Sequence, residues 1–270
     1  MSIPVGIHDN IPELDYHADD ALSASGAKTL LHSPARFAWE RENGTKSSDA
    51  MDLGTLVHTL VLRSRDKRIV VSPHDSMRTK VAQEWAEQMA AERRIVVTHR
   101  QVRQAVAITK AVRAHPLAGA ILSEGRPEVT LRWDDPETGV PVRGRIDWLR
   151  ANAIVDLKTV SRYGGSELET FGRQAASLDY PMSAANYVAG YAALTGETLP
   201  FITVTVEVEA PHFITVSQYD ETDLLAGHER MRAAIAEYAK RSESGQWVDP
   251  PEIETVPVPA WYGRQLVKEF

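Results

Sequence analysis

At 270 residues and 43% hydrophobic content, the chain is long and apolar enough for one large α/β domain or two small ones, which excludes overall disorder. It has no cysteine, so disulfides and thiolate metal sites are excluded; a bound metal must rest on Asp, Glu, His or backbone oxygen, which favours hard cations such as Mg2+ or Mn2+. The formal net charge of −7 argues against a generally basic nucleic-acid coat protein but leaves room for a local basic groove.

The first residues lack the basic start and apolar run of a secretory signal. No apolar stretch is long enough to span a bilayer, so a cytoplasmic protein without membrane contact is expected. Residues 1–20 are Pro-rich and acidic, with Asp15, Asp19 and Asp20, and read as an extended lead-in. Residues 21–245 form a single domain, and residues 246–270, with Pro250, Pro251, Pro257 and Pro259, form a C-terminal arm.

Ser23 or Ser25 caps a helix that begins around Gly26 and runs through Leu30 and Leu31. A second helix over 51–63 places Leu53, Leu56, Val57, Leu60 and Val61 at helical spacing. His58 sits at the margin of that stripe, either as a satisfied core side chain or as a ligand, and Gly54 one turn earlier leaves room for a close neighbour. The pattern over 79–114 is helical, with Trp85 and Met89 as core, and breaks near Ile95-Val96-Val97, where Thr98 caps the second part. Between Glu92 and Glu124 there is no acidic residue, while Arg93, Arg94, Arg100, Arg103, Lys110 and Arg113 supply positive charge. Arg100, Arg103 and Lys110 fall near one helix face, which is either solvated or tracks phosphates.

Glu128 to Trp133 alternates as a strand, and the turn over 134–139 leads back into a second strand. The stretch 142–159 then reads as a hairpin closed by Ala151 and Asn152, with Asn152 at a position requiring positive φ. Pairing Arg150 with Ala153 sets Asp147 opposite Asp156 and Arg145 opposite Lys158. Ile146, Trp148, Val155 and Leu157 are left for the core. Two facing carboxylates repel unless compensated, and a divalent cation is the natural compensation. With an even register in the preceding turn Glu128 opposes Arg145, either as a third carboxylate of the site or as that arginine's ion-pair partner.

The segment 161–179 contains Tyr163-Gly164-Gly165 and few periodic apolar residues, so it reads as a loop with one helical turn at most. A helix over 180–194 follows, with Tyr180, Ser183 or Ala184, Tyr187 and Tyr191 on one face, serving either the core or phosphate and base contacts. Strands over 201–209 and 212–219 form a second hairpin, and 221–241 is an amphipathic helix.

The order of these features, His58 on a helix, Glu128 on a strand, Gly144-Arg145-Ile146-Asp147, Asp156-Leu157-Lys158 and then a tyrosine-bearing helix, resembles the PD-(D/E)xK nuclease superfamily. More narrowly, Leu22 to Phe37, Leu53-Gly-Thr-Leu-Val-His58 and Tyr180 to Tyr191 look like the RecE-type, or exonuclease VIII-like, domain. The resemblance spans roughly residues 16 to 240. It implies an α/β fold, the restriction-endonuclease-like mixed central sheet flanked by helices, and Mg2+-dependent 5′-to-3′ degradation of one strand of linear duplex DNA, with Mn2+ as a plausible substitute. The biological setting it implies is phage or prophage recombination, with double-stranded DNA ends as substrate, a ring-like homo-oligomer and a RecT-like single-strand annealing protein as partner.

Carried over by position, Asp147 and Asp156 are metal ligands together with His58 and the Leu157 backbone carbonyl, and Lys158 orients or activates the attacking water. Where the wider family often has Gln-x-x-x-Tyr, this chain has Ser183 four residues before Tyr187; Gln174 substitutes only if the preceding segment folds back. The alternatives are a nuclease for single-stranded or branched DNA, and a non-catalytic DNA-binding or assembly protein. The intact Asp147, Asp156 and Lys158 count against the last.

Overall fold

The computed structural model describes residues 2–44, 48–161, 167–250 and 255. The chain opens with β1 (Gly6–His8), α1 (Glu13–Ala18) and β2 (Leu22–Ser23), then α2 (Ala24–His32), α3 (Pro34–Asn43) and α4 (Asp49–Val61). A small unit follows: β3 (Ile69–Val71), α5 (Lys80–Ala91), β4 (Ile95–Val97), α6 (His99–Ala114) and α7 (Pro116–Ile121). The sheet meander is β5 (Arg126–Asp134), β6 (Pro141–Leu149) and β7 (Ile154–Val160). It leads to α8 (Leu168–Ser177), α9 (Tyr180–Thr195), β8 (Phe201–Glu207), β9 (Ile214–Ser217) and α10 (Glu221–Ser244).

Local chemistry sets several of these boundaries. Ser23 Oγ accepts from the Gly26 N–H at 3.1 Å and so starts α2. Thr98 and Gln101 form a reciprocal capping box that starts α6 directly after the β-branched strand β4. The segment read as a loop before α9 contains the ten-residue α8, whose inward stripe is carried by Phe171 and Ala175. Two buried residues on one face suffice because Val160, Tyr180 and Tyr219 cover them. Tyr163-Gly164-Gly165 lies outside the described residues.

The main sheet runs β1-β5-β6-β7-β8-β9, with β2 beside β6; the β2–β6 and β7–β8 pairs are parallel and the others antiparallel. Strands β3 and β4 form a separate parallel pair. Two apolar layers enclose the main sheet. On one face α2, α9 and α10 bury Leu30, Met182 and Met231 against Val129, Leu131 and Ile146. On the other α4, α6 and α7 bury Val57, Ile108 and Ala118 against Trp148, Val155, Leu157 and Val204. No helix among the described residues is long and apolar enough to cross a membrane.

Residues 1–20, expected to be an extended lead-in, are folded onto the sheet from Gly6 onward. β1 pairs with β5, and the buried Asp19 carboxylate accepts from the Ile3 N–H at 2.6 Å and the Ala21 N–H at 2.9 Å. The Tyr16 ring is in contact with two guanidinium groups, 4.6 Å from Arg143 and 4.1 Å from Arg145. At the other end Trp247 packs against Phe37 and Tyr238, and Asp249 accepts from Ser33 Oγ and the Ala35 N–H. Residues 251–254 and 256–270 of the expected arm lie outside the described residues. Trp85, read as core, is half-buried and packs edge-on against His74.

Close approach of α9 to the sheet requires two glycines. A Cβ on Gly144 would lie 2.7 Å from the Tyr187 ring, and one on Gly190 would lie 2.4 Å from the Trp133 ring. Neither ring can move without displacing core, so Gly190→Ala is expected to lower stability by about 1–3 kcal/mol in chemical denaturation. Gly172→Ala on α8, where an added Cβ meets nothing within 4 Å, is expected instead to gain up to about 1 kcal/mol from helix propensity.

Candidate active site

The site is an opening in the sheet. Along one edge β6 is paired with β5 from Pro141 to Leu149. Along its other edge β2 pairs only with Val142 and Arg143, and β7 only with Trp148 and Leu149. Residues 144–147 of β6 therefore have no strand partner on that side.

The β6–β7 hairpin has the expected two-residue loop, with the Arg150 N–H donating to the Ala153 carbonyl at 2.9 Å. It closes without positive φ at Asn152. Counting on, a continuing ladder would give the Leu157 N–H to Ile146. It is taken instead by Asp147 Oδ2 at 2.8 Å, so a carboxylate replaces a backbone carbonyl and the strands part. The N–H and C=O of one strand residue point to the same side, so the Leu157 carbonyl faces the same opening.

Side-chain alternation also slips here. Ile146 and Leu149, three residues apart, both enter the α9-side core, while Trp148 joins the core under α4 together with Val155 and Leu157. The four residues expected to share one core face are all buried, but Ile146 lies on the opposite face from the other three. Across the β5–β6 ladder Thr130, not Glu128, pairs with Arg145; the register sets Glu128 against Asp147, and at φ +52° Glu128 drops out of the pairing. The turn between these strands is two residues longer than an Arg145–Glu128 pair would need.

Asp147 and Asp156 meet at this opening. A Cβ on Gly54 would lie 3.3 Å from Thr159 Oγ1, and this close approach of α4 to β7 sets His58, one turn on, with Nδ1 3.5 Å from Asp147 Oδ2. Lys158 Nζ lies 2.7 and 2.9 Å from the two Asp156 oxygens and 5.0 Å from the centre of the Tyr180 ring. Burial raises the Asp156 carboxyl above the usual range, Lys158 opposes this and Asp147 adds to it. Burial works to lower the Lys158 ammonium, but Asp156 and Asp147 outweigh it, and Lys158 is held protonated. Glu128 is pushed up to about 8 by burial and by Asp147, against the pull of Arg145.

Several expected contacts fall elsewhere. Arg145 is committed to the N-terminal segment: it pairs with Glu13, donates to the Ile11 carbonyl at 3.0 Å and to Thr130 Oγ1 at 3.2 Å, and stacks on Tyr16. It is not a free phosphate contact. Tyr187 packs on Gly144 and Phe201, and Tyr191 on the α2–α9–α10 core, which leaves Tyr180 as the tyrosine of that stripe beside Lys158. Arg100, Arg103 and Lys110 lie on the solvent face of α6, and no contact among the described residues joins them to the carboxylates. Ser183 accepts from Lys28 at 2.9 Å.

Residues that sequence reasoning missed complete the surroundings. Parallel pairing of β8 with β7 sets Thr203 beside Asp156 and Thr205 beside Lys158, both buried. Their alternation with Val204 and Val206 was the available signal. Burial, with Asp156 adding to it, pushes the Tyr219 hydroxyl up to about 12. Gln174 Oε1 and Thr205 Oγ1 are buried without a hydrogen-bond partner among the described residues.

The donor set fits a divalent cation in its chemistry. Asp147, Asp156 and the Leu157 carbonyl offer hard oxygens and His58 a nitrogen, and Glu128 and Asp156 are raised first by burial and further by the Asp147 charge. Among the described residues no three His, Asp or Glu side chains stand together as a ready-made cage, and Asp156 is engaged by Lys158.

A mixed sheet opened at two carboxylates with a lysine two residues beyond the second defines a nuclease-like PD-(D/E)xK domain. Residues 23–253 match the PDDEXK-like domain of unknown function DUF3799, and the chain belongs to that family. Among solved structures it is similar to a "Putative exonuclease" from Eubacterium rectale, with a TM-score of 0.63 at 16% identity over 93% of this chain and 94% of that chain. At that identity the likeness is one of fold. An alkaline exonuclease from Laribacter hongkongensis, 14% identical over 71% of this chain and 98% of that chain, has a TM-score of 0.26 and carries no argument. No curated protein matches.

Proposed function

We propose that the protein is a metal-dependent DNA exonuclease that degrades one strand of linear duplex DNA from its 5′ end. The observation that carries the reading is the Asp147–Asp156–Lys158 group at the opening between β6 and β7. The polarity, a role in generating single-stranded tails for recombination, a ring-like homo-oligomer and a RecT-like annealing partner follow from the RecE-type resemblance.

In phosphodiester hydrolysis the oxygen of water bonds to phosphorus, the bond to the leaving oxygen breaks, and that oxygen takes up a proton. A bound Mg2+ or Mn2+ would lower the pKa of the attacking water and stabilise the leaving oxygen. Asp147, Asp156 and the Leu157 carbonyl would hold the ion, with His58 at the margin and Glu128 in reserve. Lys158, held as an ammonium, has no lone pair to accept a proton. It therefore orients water and places positive charge beside the phosphoryl oxygens as their charge grows. Tyr180 stands beside Lys158, and the buried Thr203 and Thr205 flank Asp156 and Lys158 on β8.

The test is a linear duplex labelled separately at its 5′ and 3′ ends, with a closed circular duplex and a single strand as comparisons. Mg2+-dependent release of 5′ label from the linear duplex, absent in Asp156→Ala, is expected. Equal cleavage of the circle or of the single strand would transfer the reading to an endonuclease or a single-strand nuclease.

A further inference from the structure

Lys28 on α2 makes no ion pair among the described residues. Its ammonium donates to Ser183 Oγ at 2.9 Å and to the Leu178 carbonyl at 3.0 Å, and stands 5.7 Å from the centre of the Tyr180 ring. An ammonium has three N–H donors, and the third has no acceptor among the described residues. Both acceptors are neutral, so two hydrogen bonds fix the group in place without neutralising it. The nearest acids are engaged elsewhere, Asp179 by Arg230 at 2.6 Å and Asp156 by Lys158 at 2.7 Å. Burial and the like charge of Lys158 lower the Lys28 ammonium to about 8, against the pull of Asp179 and Asp156.

Lys28 is half-buried, and two like charges held near one another are stabilised by an anion that both can reach. Lys28 and Lys158 both address the Tyr180 ring, at 5.7 and 5.0 Å. A nucleic-acid strand carries one phosphate per nucleotide, with an apolar sugar or base face between successive charges. An aromatic ring addressed by two ammonium groups matches that repeat.

We infer that Lys28 is a phosphate-binding residue of the site, holding the backbone phosphate next to the one that Lys158 faces, with Tyr180 against the nucleotide between them. The inference rests on the nuclease reading of the same opening and adds to it a residue that positions the attacked strand.

The experiment is binding of a labelled linear duplex in EDTA, so that no turnover occurs, over a series of salt concentrations. Lys28→Gln keeps a donor for Ser183 and Leu178 while removing the charge. It is expected to weaken binding and to reduce the slope of log affinity against log salt by about 0.7–0.9, the release accompanying one phosphate contact. Lys28→Arg is expected to keep the wild-type slope, and Ser183→Ala, which removes one anchor but no charge, to keep it too. An unchanged slope in Lys28→Gln, or an equal fall in Ser183→Ala, would overturn the assignment. Binding is read without turnover, so a wild type that binds with this slope but releases no label in the end-label test would sink the nuclease reading and leave the phosphate contact standing.

Discussion

Lys158→Ala is expected to lower metal-dependent DNA cleavage by about 10²–10³-fold, the usual loss when a preorganised group facing transition-state charge is removed. The same substitution is expected to destabilise the metal-free protein. It strips the buried Asp156 of its partner while Asp147 remains beside it. Removing one member of a buried pair costs roughly 3–5 kcal/mol, and the partial exposure of Lys158, 23%, places this case at the lower end. The two effects separate in the double variant Asp156→Asn, Lys158→Ala, which removes both charges of the pair. Its melting temperature should return toward that of the wild type while cleavage stays absent. Denaturation curves and end-label release on the three proteins decide it. A single variant that keeps full cleavage would remove Lys158 from the chemistry, and one that keeps full stability would remove the pair from the fold's electrostatics.

Much of this site was legible in the sequence because its parts are local. The two-residue loop between β-branched arms sets the β6–β7 register, with the Arg150 N–H on the Ala153 carbonyl, and that register alone brings Asp147 and Asp156 to the same level. Thr98 after three β-branched residues marks the strand-to-helix change for the same reason. What alternation could not reveal is that the ladder stops at Trp148 and Val155. A side chain, Asp147, competes with a backbone carbonyl for the Leu157 N–H, and nothing in the period-two pattern announces that substitution.

The other unread parts are tertiary. Arg145 appeared available because its partner, Glu13, lies in a segment whose proline and acid content resembles a tail. Burial would raise the Glu13 carboxyl, but His17, Arg145 and Arg68 hold it at about 2, well below the usual range. Lys28 reaches Ser183 across 155 positions of sequence, through the parallel placement of β2 on β6, a connection with no short-range signal. The helix α8 was missed because only Phe171 and Ala175 of its residues are buried, too few to raise a periodicity over noise.

In the absence of divalent cations the protein is expected to lose stability as pH rises from about 4.5 to about 8. Glu128 has its folded value raised from 4.5 to about 8 by burial and Asp147, and Asp156 is raised in the same direction by burial. For an acid shifted upward, the folded state binds the proton more tightly than the unfolded chain. Its stabilisation is therefore complete below the unfolded value and is lost as pH rises through the folded one. Mg2+ or Mn2+ competes for the same oxygens, so its stabilising effect should grow with pH over this window. At a free concentration of about 100 times Kd it should reach about 2.7 kcal/mol. Melting temperatures measured with EDTA and with each ion between pH 5 and pH 8.5 test both statements; an ion effect absent at every pH would remove these carboxylates as ligands. Glu128→Gln then separates ligand from neighbour. If it flattens the EDTA curve and leaves the ion effect intact, the ion rests on Asp147, Asp156 and the Leu157 carbonyl, and Glu128 only feels their charge. If the ion effect falls with it, Glu128 is a third carboxylate of the site, drawn out of the β5 ladder at positive φ to reach it.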